Sequence, residues 1–211
     1  AAREKLGVKD GALLAFYAGN LGRKQSLEIL VNAAALLGAD TGSGPKGTVW
    51  LIIAGDGAGR ADLERAIAMT RNAQMQLLPL LSDPDYESLL VAADVALITQ
   101  AAGSGQFFFP SKLLSVLAAG LPVVAVADAT SELAGAVRDG GFGDIVPPGD
   151  AEGLAETLRK LANDREVVRK WSDRTCWVGK FSRDRVLPQF EAVLASAASD
   201  DFHPRSSRKL I

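Results

Sequence analysis

The chain has 211 residues, 48% hydrophobic and 23% charged, with a formal net charge of −2. That balance fits one α/β domain with a sizeable core and excludes a broad nucleic-acid-binding surface. A single cysteine, Cys176, and a single histidine, His203, exclude a disulfide framework and a zinc cluster.

The opening, Ala-Ala-Arg-Glu-Lys, has no signal-peptide pattern and reads as a helix entered mid-protein. Ala12 to Ala18 is short and apolar, then broken by Gly19-Asn20-Leu21-Gly22, which predicts a first strand and a turn. Leu27, Leu30, Val31 and Ala34 fall at helical spacing. Residues 40–47 are rich in Gly, Ser and Thr and predict a mobile loop. Val49 to Ala54 is the second predicted strand, Gly55-Asp56-Gly57 a tight turn, and Ala61 to Thr70 a helix. The turn needs nothing beyond Asp56 accepting a backbone hydrogen bond.

Met75 to Leu81 predicts a third strand, Asp83 to Ala92 a helix with Pro84 in its first turn, and Asp94 to Thr99 a fourth strand. After a loop holding Gly103 and Gly105, Pro110-Ser111 reads as a capped start for a helix over Lys112 to Ala119. Gly120 and Pro122 stop it. Pro122 to Ala127 is apolar throughout, as a strand buried on both faces requires. Ser131 to Arg138 predicts a helix and Phe142 to Val146 a last strand. Leu154, Leu158 and Leu161 mark a helix opened by Gly149-Asp150. Arg165 to Cys176 and Ser182 to Ala197 are amphipathic, with Trp171 and Trp177 as packing residues. Residues 200–211 are polar and read as a disordered tail, which leaves 1–199 as the domain. Strands alternating with helices predict a Rossmann-like, doubly wound parallel sheet of about six strands with helices on both faces.

In such sheets ligands sit at the carboxyl ends of the strands. Two predicted loops there carry glycine beside cations or hydroxyls, Gly19-Asn20 with Arg23 and Lys24 and Gly103 to Lys112, and a third turn holds Gly55 and Gly57 around Asp56. Pliable backbone, N–H groups and lysine are what a phosphate needs. Each feature also has a plain reading. Arg23 and Lys24 serve equally as solvated charges, Ser111 as a cap, and Lys112 as a surface lysine.

The run Pro110-Ser-Lys-Leu-Leu-x-x-Leu-Ala-Ala-Gly-Leu-Pro-Val-Val-Ala resembles the donor-binding signature of GT-B glycosyltransferases, above all the GT4 type of bacterial polysaccharide synthesis. Tyr17-Ala-Gly-Asn-Leu-Gly-Arg-Lys-Gln, Ile53-Ala-Gly-Asp-Gly and Ile145-Val-Pro-Pro-Gly-Asp extend the resemblance over most of the chain, in order. It implies the C-terminal, nucleotide-sugar-binding half of a GT-B fold. The implied reaction moves a sugar, with retention at the anomeric carbon, from a nucleotide diphosphate sugar to an acceptor hydroxyl. It implies no metal and no cofactor. An absent N-terminal domain would bind the acceptor and supply acid–base groups, so the isolated chain binds nucleotide without turnover. The resemblance places the protein in the cytoplasm, with any contact at the inner face of the membrane made through the absent domain.

The resemblance also assigns residues. Arg23, Lys24, Ser111 and Lys112 fall by the phosphates, beside Gly19 and Asn20; Gly55 and Gly57 line the cleft floor. Leu80 belongs to the wall of the base. Gly105, Gln106 and Phe107 join the nucleotide-sugar site, and the aromatic run from Phe107 to Phe109 serves equally to stack on a sugar or base, to contact the absent domain or to anchor its own loop. Many GT4 enzymes carry two glutamates eight positions apart, the first near the donor sugar and the second usually on the ribose hydroxyls, and some Pro-Ser-Lys relatives lack the first; here Phe107 and Ser115 stand in their places. Relatives more often have Lys-Gly where this chain has Gln25-Ser26. Two other readings stand beside the glycosyltransferase one: a GT-B-like nucleotide-sugar epimerase, which the lack of a suitable His or Glu argues against, and a degenerate nucleotide-binding or scaffold domain without catalysis, which Phe107 and Ser115 favour.

Overall fold

The structure, a computed structural model, describes residues 2–39, 47–70, 72–106 and 109–198. Residues 40–46 of the loop expected over 40–47, Phe107, and the tail from 200 lie outside the described residues. The chain divides into two compact units, Ala1–Cys176 and Trp177–Ile211. The sequence gives no sign of that division, since amphipathic segments lie on either side of it.

The strands are β1 (Leu13–Ala18), β2 (Val49–Ala54), β3 (Met75–Leu78), β4 (Val95–Thr99), β5 (Val123–Val126) and β6 (Gly143–Val146). They form one sheet in the order β3-β2-β1-β4-β5-β6 with every pair parallel. The helices are α1 (Ala2–Lys5), α2 (Glu28–Ala39), α3 (Arg60–Thr70), α4 (Asp83–Ala92), α5 (Lys112–Ala118), α6 (Glu132–Gly140), α7 (Ala151–Asn163), α8 (Arg165–Ser172) and, in the second unit, α9 (Arg183–Ala198). Among the described residues no helix is long and apolar enough to cross a membrane.

Alternation along β1 shows why the sheet is covered on both faces. Leu13, Ala15 and Tyr17 join a buried cluster with Leu30 of α2 and Leu154 and Leu158 of α7. Leu14 and Phe16 point the other way and are buried too. Local chemistry sets the helix ends. Ser82, Ser131 and Asp150 accept hydrogen bonds from the backbone N–H groups of Asp85, Ala134 and Gly153. Gly141, at φ +62°, ends α6.

Three expectations need correction. The third strand stops at Leu78 rather than Leu81, because Pro79 has no N–H for the ladder. The helix from Arg165 ends at Ser172, and a 3-10 segment over Thr175–Phe181 follows it. Ser111 has helical backbone angles, φ −56° and ψ −29°, and its side chain makes no capping bond.

The order of the sheet matters for the site. β1 pairs with β2 on one side and β4 on the other, so successive connections leave β1 in opposite directions. A crevice opens at the carboxyl ends of strands at such a point.

Candidate functional site

The carboxyl ends of β1 and β2 are fastened together by backbone. Gly19 N–H donates to the Ala54 carbonyl at 3.0 Å, Leu21 N–H to Asp56 at 2.8 Å, and Gly59 N–H to Leu21 at 2.7 Å. So close an approach leaves no room for side chains. A Cβ at Gly55 would overlap the Gly19 carbonyl oxygen, and one at Gly57 would sit 2.5 Å from Asn20 Oδ1. Gly19 and Gly55 both stand at φ +145°, which other residues rarely adopt. The turn behaves as the plain reading held: Gly57 N–H donates to Asp56 Oδ1 at 2.8 Å.

Lys112 closes this floor from the far side. It begins α5, yet its ammonium lies over the end of β1, 4.0 Å from the centre of the Tyr17 ring. A Cβ at Gly19 would come within 2.8 Å of Lys112 Nζ. Burial pushes the ammonium down from the ordinary lysine value to about 8. Among the described residues no carboxylate pairs with it. Burial also pushes the Tyr17 phenol up, beyond its ordinary range. The phenol donates to the Asn20 carbonyl at 2.8 Å.

Arg23 and Lys24 are exposed, in a 3-10 turn over Arg23–Gln25. That turn is tied to β4 through Ala101 N–H, which donates to the Lys24 carbonyl at 2.8 Å. Leu80 is 72% exposed beyond the end of β3. Gly105 is buried, where a Cβ would meet Ser131 Cβ at 2.6 Å. Gln106 ends the 3-10 turn Ser104–Gln106, and Ser111 is exposed. Ser115 is exposed on α5, donates to the Lys112 carbonyl at 2.9 Å and lies 3.3 Å from the Tyr86 hydroxyl.

The structure thus brings Gly19, Asn20, Gly55, Gly57 and Lys112 into one small space. Gly105 packs against Ser131 and Gln100, and Leu80 stands exposed beyond β3. Phe107 lies outside the described residues.

Three contributors escape a sequence reading. Tyr17 looks like any apolar strand residue. Arg60 donates to the carbonyls of Gly55 at 2.8 Å and Leu78 at 3.0 Å, bracing the ends of β2 and β3. Asp128 accepts from Gly103 N–H at 2.7 Å and holds the loop after β4. Only Asp128 leaves a trace, as an acid just past an apolar strand. Among the described residues no group of three or more His, Cys, Asp or Glu is placed to hold a metal ion.

Comparison with known proteins gives this architecture relatives. WcaI of Escherichia coli (strain K12), named for a glycosyl transferase role in colanic acid biosynthesis, is 31% identical over 194 residues, covering 90% of this chain and 45% of that protein. The D-inositol 3-phosphate glycosyltransferase of Geodermatophilus obscurus is 29% identical over 220 residues, 95% of this chain and 44% of that one. The chain therefore spans less than half the length of these two relatives. The crystal structure of Anabaena Alr3699/HepE in complex with UDP-glucose superposes with a TM-score of 0.72, at 22% identity over 92% of this chain and 51% of that one. It shares the Rossmann-like fold. Residues 1–175 match the family model described as glycosyl transferases group 1, and the chain belongs to that family.

Proposed function

We propose that the cleft at the ends of β1, β2 and α5 binds the diphosphate of a nucleotide sugar. On this reading the chain is the donor half of a retaining glycosyltransferase in bacterial polysaccharide or glycoconjugate synthesis. The observation that carries it is Lys112: a largely buried ammonium, without a carboxylate partner among the described residues, beside a floor that glycine keeps low. An unpaired cation taken out of water is costly, and an anion in the cleft offsets that cost. Arg23 and Lys24 add exposed positive charge at the rim. The UDP-glucose bound to Alr3699/HepE supports the choice of ligand class.

The reaction breaks the bond from the anomeric carbon to the diphosphate oxygen and forms one to an acceptor oxygen. The acceptor hydroxyl loses a proton, and negative charge gathers on the departing diphosphate. Lys112, already seated, meets that charge without reorganising, which is how preorganised electrostatics lower a barrier. The acceptor site and the acid–base groups belong, in this proposal, to an N-terminal domain outside this chain.

The test is product analysis of the longer protein with UDP-, GDP- and ADP-sugars and an acceptor extract. The expected product is a glycoside with the donor's anomeric configuration. An altered free nucleotide sugar would assign an epimerase instead. Nucleotide binding without any product would assign a scaffold.

A further inference from the structure

We propose that Tyr17 is a positioning residue for this cleft: its ring seats the ammonium of Lys112, and its hydroxyl pins the carbonyl of Asn20. One buried side chain would then set two walls of the anion site. The inference rests on the reading of the cleft as a nucleoside diphosphate site, but its geometry stands without a ligand.

Lys112 reaches the end of β1 from a helix 95 positions later in the chain, so nothing local holds its long side chain there. The Tyr17 ring, fully buried, faces the ammonium at 4.0 Å. The negative face of an aromatic ring attracts a cation, most of all away from water. The same side chain continues past the lysine, and its phenol donates to Asn20 O at 2.8 Å. This fixes the chain where it turns from Gly19 toward Arg23. A leucine would fill the core as well and would do neither task. Tyr17 is the titratable group that faces the ammonium from β1. The turn after β1 presents the exposed cations Arg23 and Lys24, and among the described residues no acid opposes them at the lysine. The ring is therefore the partner that keeps Lys112 charged and in place before any anion arrives.

The two tasks separate experimentally. Tyr17→Phe keeps the ring and removes the pin. Phenylalanines bearing one, two and three fluorines at position 17 keep the shape and weaken the ring's attraction stepwise, so folding is preserved. Lys112 is followed by NMR through its ε-carbon in the chain without ligand. Its midpoint is expected to stay near that of the native chain in Tyr17→Phe and to fall along the fluorine series by about half to one pH unit. UDP, GDP and ADP affinities, measured at pH 7.5 by titration calorimetry, are expected to fall together with it, by about three- to tenfold. A merely structural tyrosine predicts a midpoint indifferent to fluorine, and that result overturns the proposal. A moving midpoint with no binding of any of the three nucleotides leaves the seat standing and removes the reading of the cleft.

Discussion

Ser115 shows how much one side chain decides. Many of the enzymes that this sequence resembles carry a glutamate at this place in the pattern. In this chain the serine is exposed, with Tyr86 beside it. A glutamate at this position would therefore reach water or ligand rather than bury an unpaired charge. Ser115→Glu is expected to tighten ribonucleoside diphosphate binding by roughly 1–2 kcal/mol, the gap between a neutral and a charged hydrogen bond, without lowering the melting temperature. Calorimetry against the 2′-deoxynucleotide checks it: an equal gain for both sugars would move the ribose away from Ser115. Ser26 carries a different cost. It holds φ +48°, ψ +50°, at the position where relatives more often have glycine. Left-handed backbone costs an ordinary residue about 1–2 kcal/mol. Ser26→Gly, which also loosens the unfolded chain, is expected to stabilise the fold by a net of roughly 0.5–1 kcal/mol in urea unfolding. Unchanged or lower stability would mean the serine side chain offsets its own strain.

At the scale of elements, the end of the strands opposite the cleft is held by Asp94, just before β4. Its carboxylate accepts from Leu14 N–H at 2.7 Å, from Arg3 at 3.0 Å and from Arg165 at 2.5 Å. One side chain thus joins α1, β1 and α8. Asp94→Ala leaves two guanidinium groups and a backbone N–H short of an acceptor, and is expected to cost roughly 2–4 kcal/mol in chemical unfolding. Nucleotide affinity should hold, because the cleft is at the other end of the strands. Equal losses of affinity and stability would tie the two ends of the strands together. These long-range links mark where a sequence stops being readable. Val49 to Ala54 and Val123 to Val126 announce themselves as buried strands because each is apolar throughout, and Asp150 announces a helix start because capping is local, whereas Ser111, expected on the same ground, makes no capping bond. Gly19, Gly55 and Gly57 are legible as punctuation, and their meeting follows once the strands are parallel neighbours. Tyr17 with Lys112, Arg60 with Leu78, and Asp94 with Arg3 are not legible. Each joins positions far apart in the chain, and nothing in either partner's neighbourhood names the other.

For the whole molecule, the site's charge follows pH through Lys112. Its folded value of about 8 lies below the ordinary 10.5, so between those values the unfolded chain binds more protons than the folded one. Stability from this group alone therefore rises with pH across that window. Ligand binding has the opposite sign. A diphosphate favours the ammonium and raises its value, so affinity should fall as pH rises through about 8, with proton uptake of roughly half a proton on binding near that pH. Calorimetry at pH 8 in two buffers of different ionisation heat measures the uptake; none would show that the lysine does not meet the ligand. In the proposed function Lys112 is the cation of a diphosphate site. Its most direct test is titration of UDP, GDP and ADP into the native chain and Lys112→Ala at pH 7, with EDTA present. At least one nucleotide is expected to bind the native chain, and the variant to bind it at least about tenfold more weakly, the scale of a lost charge-assisted hydrogen bond, with its melting temperature no lower. Equal affinity in the two chains, or no binding to the native chain, would contradict it.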